Sequence, residues 1–166
     1  VYDALGRRIA KVEGAVTTRY YYDGQNVIEE TDGAGALKRY FVNGTQYIDE
    51  RVLVREPGTT QREFYYLERE LHTVSGMAVL NGFMFEWYAY GAYGDVQVRN
   101  ASGNLLPKSY VGNPYYFTGR ELDFVQHSAT STANPAVQVY HYRARSYDAG
   151  NGRFPQRDPS EYVDGQ

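Results

Sequence analysis

Cysteine, histidine and aspartate provide most catalytic and metal-binding sites, and in this chain they occur without the usual spacings. The 166 residues include no cysteine, which removes thiol nucleophiles, disulfides and most zinc sites. The three histidines are His72, His127 and His141, and no HExxH or HxH spacing links them. We therefore expect no metal and no other cofactor, and no enzyme that acts on an external substrate.

Arginines recur in the last third of the chain, at Arg120, Arg143, Arg145, Arg153 and Arg157. Such a series could bind an anion, but pairing with acidic neighbours in the folded protein is the interpretation that we favour. The whole chain has 20 acidic and 17 basic residues, a net charge of −3, and no polybasic block. This balance predicts no nucleic-acid partner, and the lack of a long apolar run predicts no membrane span.

Aspartates stand at regularly recurring turn signals. Asp3 and Asp32 each precede a glycine by three residues, and Asn26 occupies the glycine position after Asp23. Calcium binding is one interpretation of such aspartates, but no EF-hand loop is present. An Asp side chain that accepts backbone amides, followed by a residue with positive φ, is typical of a hairpin turn. The repeated spacing therefore predicts a chain of hairpins.

The segments between these turns are typical of β-strands. The chain contains 18 tyrosines, 7 phenylalanines and 17 glycines, a composition that favours half-buried strands joined by tight turns. An Asn-Gly pair at 43–44 predicts a two-residue type I′ turn. We predict an all-β fold, an array of antiparallel β-hairpins with a short helical turn near the C-terminus. The predicted strands are 16–22, 37–42, 47–54, 62–67, 77–90 (broken at Asn81-Gly82) and 136–147.

The character of the sequence changes near residue 100, where turn residues become dense. We therefore predict a hairpin wall over residues 1–100 and a second module over residues 101–166. Residues 126–135 are rich in Ser, Thr and Ala and predict an exposed loop.

Several blocks resemble a known family. Residues 2–8 (YDALGRR) resemble the YD repeat of Rhs proteins, teneurins and the C component of Tc toxins. The blocks FTGRE at 117–121, YHYRARSYD at 140–148 and GRFPQRDP at 152–159 resemble, in order, the Rhs repeat-associated core module. The resemblance implies a spiral β-shell that the core module closes at one end, around a C-terminal toxin.

The resemblance also implies a site, because some family members cleave themselves with a pair of aspartates. Asp158 and Asp164 match that pair, and Arg157 could hold its geometry. Two such carboxylates close together would share one proton, so that one acts as acid and the other as base. Locally, Asp158 followed by Pro159 and Glu161 also predicts a helix N-cap. The two interpretations are compatible, and both stay open.

The sequence departs from the family pattern at Gly91, where Asp is usual, and around His72 and residues 126–135. The chain has no initiator Met and stops at Gln166, before the segment in which family members are cut. We therefore expect an excised piece that does not turn over by itself, with at most autoproteolysis in the intact parent.

Two functions follow from these expectations. The first is a section of a shell that encloses a C-terminal toxin and could release it by self-cleavage, in a secreted or cell-surface protein. The alternative is an adhesion or carbohydrate-binding module of the teneurin kind. The expected partners are the rest of the parent chain, its cargo and further copies that pair through exposed β-edges.

Overall fold

The computed structural model describes residues 1–58, 62–125 and 137–158, and it confirms the all-β prediction. Ten strands form one antiparallel sheet and three form another. Two short 3-10 helices, Glu70–His72 and Phe117–Gly119, supply the helical turns in these ranges. Across the described residues, no helix has the length and apolar character needed to cross a membrane.

The larger sheet, which we call the meander sheet, pairs each strand with its neighbours in the sequence. Its order runs from β1 to β10 without a crossover, so β1 and β10 form the two edges. All of its connections are therefore local, as in an extended series of hairpins. Its strands are β1 Ala10–Glu13, β2 Val16–Asp23, β3 Asn26–Asp32, β4 Leu37–Asn43, β5 Arg51–Glu56, β6 Arg62–Glu68, β7 Val74–Ala78, β8 Met84–Tyr90, β9 Val96–Asn100 and β10 Leu105–Leu106.

Polar side chains fix several of the turns. The Asp32 carboxylate accepts hydrogen bonds from the amides of Ala34 and Ala36, at 2.9 and 2.8 Å, and Gly35 has φ of 91°. Asn100 makes the same two bonds, to Ser102 and Asn104. The side chain thus closes the turn that the sequence predicts, and the positive φ explains the glycine.

One face of the meander sheet is apolar and buried. Phe41, Val54 and Phe64 lie side by side across β4, β5 and β6, and each is at most 4% exposed. Met77 and Tyr88 continue this buried face on β7 and β8. Strand alternation turns the intervening side chains to the opposite face, where Val42, Leu67 and Trp87 are about 40% exposed.

The buried face is covered by the closing segment, which we define as residues 107–125 and 137–158. It contains the second sheet, with β11 Glu121–Val125, β12 Val137–Tyr142 and β13 Arg145–Asp148. Tyr115 and Tyr116 are buried against the meander sheet, with ring centroids 5.4 Å from Phe41 and 4.9 Å from Tyr88, respectively. The aromatic residues of the two regions therefore form one core.

Three local predictions were wrong. The Asn43-Gly44 pair makes no two-residue turn, because β5 begins only at Arg51 and the amide of Gly44 donates to the carbonyl of Glu50. The predicted strand at 47–54 accordingly starts four residues late. In the turn after Asp23, Gly24 rather than Asn26 has the positive φ, at 57°.

The predicted strand at 136–147 is a hairpin. It splits into β12 and β13 at Arg143, which adopts φ of 54° without being glycine or asparagine. No turn signal marks this position, because the predicted strand contains no Gly, Asn or Pro. The predicted loop at 126–135 and, apart from Asp158, the predicted C-terminal helical turn lie outside the described residues. The boundary near residue 100 stays a prediction.

Candidate functional site

One of the predicted catalytic residues, Asp158, lies next to the β12–β13 hairpin. The Asp158 carboxylate forms an ion pair with Arg145 at 2.8 Å and is about one-third exposed. Arg157 is exposed, and Asp164 lies outside the described residues. The carboxylate pair of Asp158 and Asp164, with Arg157 beside it, therefore stays a prediction.

Aromatic packing holds the hairpin that positions Asp158. The guanidinium of Arg145 lies 4.0 Å from the centre of the Phe154 ring, so the cation that pairs with Asp158 is itself held in place. Phe154 packs edge-on against Tyr142 and lies 5.2 Å from Tyr147. Arg145 thus places a positive charge, itself held by an aromatic ring, beside the Asp158 carboxylate.

A fully buried carboxylate fastens the closing segment to β8. Glu86 is 0% exposed, and its Oε2 accepts hydrogen bonds from the hydroxyls of Tyr88 and Ser109, at 2.9 and 2.7 Å. The amides of Tyr110 and Val111 also donate to it. Within the described residues no cation lies at ion-pair distance from Glu86, so these four donors are what satisfies its buried oxygens.

A side-chain amide fastens the second sheet to β9. The Gln138 Nε2 donates to the carbonyl of Val96 at 2.9 Å, and the amide of Val96 donates to the Gln138 Oε1 at 2.6 Å. This pair reproduces the two hydrogen bonds that a strand neighbour would make. Tyr140, on the same face of β12, is 0% exposed and donates its hydroxyl to the carbonyl of Gly94.

An ion-pair cluster joins the N-terminal end of the chain to β11. Arg8 binds Glu121 at 3.2 Å and Asp123 at 2.6 Å, and Tyr20 donates its hydroxyl to Glu121 at 2.8 Å. Burial raises the pKa of Glu121, and the neighbouring Arg8 partly offsets that rise. Burial opposes ionisation of Asp123 as well, but the hydrogen bonds and positive charges of Arg8 and Lys11 together outweigh burial and lower the pKa of that carboxyl.

Two cavities lie beside this cluster, and they share His141 and Arg143. The first has a volume of about 50 Å³ and contains an unusual number of arginines in its wall. The second has a volume of about 320 Å³ and is lined by side chains of Tyr2, Arg145 and Gln156 among others. Burial, followed by the positive charge of Arg8, lowers the pKa of His141 to about 4, so its ring is uncharged at neutral pH.

The other candidate chemistries find structural explanations. His72 binds Glu68 through Nδ1 at 2.9 Å, and no cluster of three potential metal ligands occurs among the described residues. His127 lies outside the described residues. Asp3 accepts the amides of Leu5 and Arg7 and pairs with the Arg7 side chain, which accounts for it as a turn residue.

The arginine series mostly pairs with acidic groups, as expected. Arg120 and Arg143 share Asp49, and Arg145 pairs with Asp158, whereas Arg153 and Arg157 are exposed.

Sequence reasoning missed Glu86 and Gln138. Their signal was available, since each is a polar residue on the inward-facing side of an aromatic or β-branched strand, and such residues need buried partners. The sequence does not reveal those partners, which lie 23 to 42 residues away.

Comparison with known proteins gives a consistent but distant match. The chain is 26% identical, over 166 residues and 99% of its length, to the tRNA3(Ser)-specific nuclease WapA of Bacillus spizizenii. It matches the tRNA nuclease WapA of Bacillus subtilis strain 168 and the tRNA(Glu)-specific nuclease WapA of Bacillus subtilis subsp. natto with the same identity and coverage. The chain spans only 6% of the length of each of these relatives. No family model matches the chain.

These findings correct the family expected from the sequence. The assignment to Rhs/YD-repeat proteins, with YD repeats followed by an Rhs repeat-associated core, was wrong, because no family model matches and the matching relatives are nucleases named WapA. These relatives are also named for a tRNA substrate, so they lend no support to the expectation that nucleic acid is not a partner. The chain is thus similar, along its whole length, to a small section of large tRNA nucleases.

Proposed function

We propose that this chain is a section of a β-scaffold in a large protein, and that the scaffold encloses a C-terminal nuclease. The observation that supports this most directly is the meander sheet, in which ten strands follow one another without a crossover. A sheet of this kind can be extended at either edge by further hairpins, because β1 and β10 have backbone groups that a next strand could pair with.

Enclosure of a C-terminal enzyme would suit the relatives, which are named as tRNA nucleases. A nuclease that cleaves tRNA stops translation in any cell that it can reach, including the one that makes it. A scaffold that surrounds such an enzyme keeps it from its substrate until release. We therefore extend the proposal to a secreted or cell-surface parent protein that delivers its nuclease to other cells.

The closing segment is the part of the chain that we assign to the end of the enclosure. It covers the buried face of the meander sheet and is tied to it by Glu86, Gln138 and the Arg8 ion pairs. In this proposal the section is structural, and its stability decides how well the cargo is retained.

Protease protection of the parent protein tests the enclosure. In the intact parent we expect the C-terminal nuclease region to resist a protease that digests the same region expressed alone. A Glu86→Leu parent should lose this protection, whereas a Glu70→Gln parent, changed at an exposed position, should keep it. Equal digestion of the enclosed and the isolated nuclease region would contradict the proposal.

Self-cleavage by Asp158 and Asp164, with Arg157 beside them, is the second part of the proposal. A parent chain that extends beyond Gln166 should run as two bands on a denaturing gel. Asp158→Asn and Asp164→Asn should each restore a single band, while Asp32→Asn, a change at a turn carboxylate of the meander sheet, should leave two. Cleavage that persists in Asp158→Asn would remove Asp158 from the mechanism.

Exposed aromatic side chains favour a second candidate function, carbohydrate binding or adhesion. Tyr21, Phe85 and Trp87 are between 37% and 46% exposed in the meander sheet, and exposed aromatic rings can stack on sugars. Binding of the isolated chain to a glycan array, lost in Trp87→Ala, would favour this function over enclosure. Self-association through β1 and β10 fits either function and should appear as oligomers in sedimentation at high concentration.

A further inference from the structure

The smaller cavity between the meander sheet and the closing segment contains more positive charge than its acidic neighbours neutralise. Among its lining residues are five arginines and two carboxylates, Asp49 and Glu121. His141 adds no charge at neutral pH, since burial lowers its pKa. The lining arginines are Arg7, Arg8, Arg51, Arg120 and Arg143.

Two of these arginines are neutralised. Arg7 pairs with Asp3 at 2.8 Å, and Arg8 pairs with both Glu121 and Asp123. The second carboxylate of that cluster, Asp123, also pairs with Lys11 at 2.7 Å. Two cations therefore face two carboxylates in the cluster, and neither Arg7 nor Arg8 contributes to the surplus.

Arg51 is the first source of the surplus. Arg51 is only 7% exposed, and its Nη1 donates to the side-chain oxygen of Asn43 at 2.8 Å. Its guanidinium lies 3.4 Å from the centre of the Tyr115 ring, and its Nε is buried without a hydrogen-bond partner. The Glu68 carboxylate accepts the backbone amide of Arg51 at 2.8 Å, but over residues 1–58, 62–125 and 137–158 no carboxylate lies at ion-pair distance from the Arg51 guanidinium.

The second source is a carboxylate shared by two cations. Asp49 binds Arg120 through one oxygen and Arg143 through the other, each at 2.9 Å. One positive charge of the three groups is therefore left over. The Arg120 Nε is buried without a partner, and burial together with the charges of Arg143 and Arg51 lowers the pKa of Arg120.

The surplus thus amounts to two positive charges within a space suited to one small ion. The cavity volume of about 50 Å³ is several times the roughly 10–15 Å³ that holds one water molecule. Arginine forks bind tetrahedral and planar oxyanions through paired N–H groups, and a phosphate monoester carries a charge of about −1.5 to −2 at pH 7. The neighbouring cavity of about 320 Å³ leaves room for a group attached to that phosphate.

We propose that the cavity formed by Arg51, Arg120 and Arg143 is a binding site for a doubly charged phosphate group. The phosphate neutralises the two unpaired charges and supplies acceptors for guanidinium N–H groups that now lack them. The shared chemistry allows two sources, free inorganic phosphate or the phosphate monoester of a larger molecule that extends into the second cavity. The site does not depend on the proposed scaffold function, because it needs only the fold of this chain.

Calorimetric titration of the 166-residue chain tests the proposal, with inorganic phosphate at pH 7.5 and chloride used to hold the ionic strength constant. We expect saturable binding of one phosphate per chain, and at least about tenfold weaker binding of acetate, which has a single charge. Arg143→Gln, at a half-buried position, should weaken phosphate binding roughly tenfold, and Arg51→Lys should do the same because it keeps the charge but loses the fork. Arg62→Gln, at an exposed position of β6, is the matched control and should bind like the unchanged chain.

A gain-of-binding variant separates ligand binding from a merely structural role of the arginines. Asp49→Asn removes the carboxylate that competes for Arg120 and Arg143, so phosphate should bind roughly tenfold more tightly. Circular dichroism of each variant confirms that it is folded before titration. Absence of phosphate binding, equal binding of acetate, or equal affinity in Arg143→Gln and Arg62→Gln would overturn the site.

The source of the phosphate is decided by a second ligand. Adenosine 5′-monophosphate that binds at least as tightly as inorganic phosphate, and loses affinity in Arg143→Gln, assigns the site to a phosphate monoester. Binding of inorganic phosphate without binding of the nucleotide assigns it to the free ion.

Discussion

The meander sheet and the closing segment are held by different kinds of interaction. Strands in the meander sheet pair only with sequence neighbours, and turns such as that at Asp32 are closed by residues two to four positions away. The closing segment is attached by Glu86, Gln138 and Arg8, whose partners lie between 23 and 115 residues away. Local pairing makes the sheet extendable, whereas the long-range polar contacts hold the closing segment on one face of the sheet.

Polar groups fix the position of the closing segment on the meander sheet, because its aromatic residues cannot do so by themselves. Tyr116 and Tyr140 are fully buried, but apolar packing is non-directional. A buried carboxylate or amide, in contrast, accepts only an arrangement in which all its partners are present. We therefore expect changes in the closing segment to separate it from the meander sheet before the sheet itself unfolds.

The sharpest test of this difference is Glu86. Replacement by Leu leaves four donors near a buried apolar group, and we expect a loss of about 3–5 kcal/mol in the free energy of unfolding, measured with urea. Glu86→Gln should cost less, about 1–2 kcal/mol, because the amide retains one acceptor oxygen. Amide hydrogen exchange at Tyr110 and Val111 should accelerate in both variants.

Glu70→Gln, on an exposed side chain, is the control and should change stability by less than about 0.5 kcal/mol. If Glu86→Leu were as stable as this control, the long-range contact would not be what attaches the closing segment.

Gln138 provides the next test. Gln138→Ala removes both hydrogen bonds to the backbone of Val96, and we expect a loss of about 2–3 kcal/mol. Gln97→Ala, one residue further along β9 and exposed, should be close to neutral. Hydrogen exchange of the Val96 amide should rise only in the first variant, and an unchanged rate there would argue against pairing between β9 and the Gln138 side chain.

Acid should weaken the attachment through His141. The pKa of its folded form is about 4, against about 6.5 when unfolded, so the unfolded chain binds the extra proton first. The stability that depends on the neutral ring is present above pH 6.5 and is lost as the pH falls from 6.5 to 4. Since two cavities border the ring, solvent screens its interactions. We therefore expect protonation of His141 to lower the free energy of unfolding by only about 1–2 kcal/mol.

The groups facing His141 include Arg8, Arg120, Arg143 and Asp123. Because the pKa of Asp123 is lowered on folding, its protonation also destabilises the fold in acid. The contribution of His141 must therefore be measured as the difference in pH dependence between a His141 variant and the unchanged chain. His141→Gln should lose less stability than the unchanged chain between pH 7 and pH 4.5, as measured by thermal unfolding. Parallel pH profiles would show that the ring does not contribute.

The smallest effect should come from the turns. Asp32→Ala removes the acceptor of two backbone amides and should cost about 1 kcal/mol. Asp23→Ala, in the turn where Gly24 supplies the positive φ, should cost less than about 0.5 kcal/mol. Equal losses in a denaturant titration would show that the two turns are stabilised in the same way, contrary to the structure.

How far the sequence predicted the structure differs between the two regions. It predicted six of the ten strands of the meander sheet, β2 and β4 to β8, because β-branched and aromatic runs between turn signals depend on neighbouring residues alone. It named no strand at β1, β3, β9 or β10. It failed at Arg143 and at Asn43-Gly44. In the first case contacts with Asp49 accompany a conformation that Arg rarely adopts, and in the second the chain continues in a longer loop to Arg51.

The site was harder to predict than the strands. Asp158 and Arg157 could be named from the sequence, but not that Arg145 would pair with Asp158. The cavity arginines were partly identified as a series in the last third of the chain. Arg51, which carries one of the two unpaired charges, comes from β5 and could not have been grouped with them by spacing.

By itself the sequence determined the fold class, many of the strands and the turn closed by Asp32, because each of these depends on residues a few positions apart. The tertiary structure alone decided which polar groups meet: Glu86 with Ser109, Gln138 with Val96, and Arg51 with Tyr115. These pairings join residues from separate strands, and only packing of the closing segment on the meander sheet fixes their distances. The same packing leaves the buried Arg51 guanidinium without an ion-pair partner among the described residues, and this charge is what defines the proposed phosphate site.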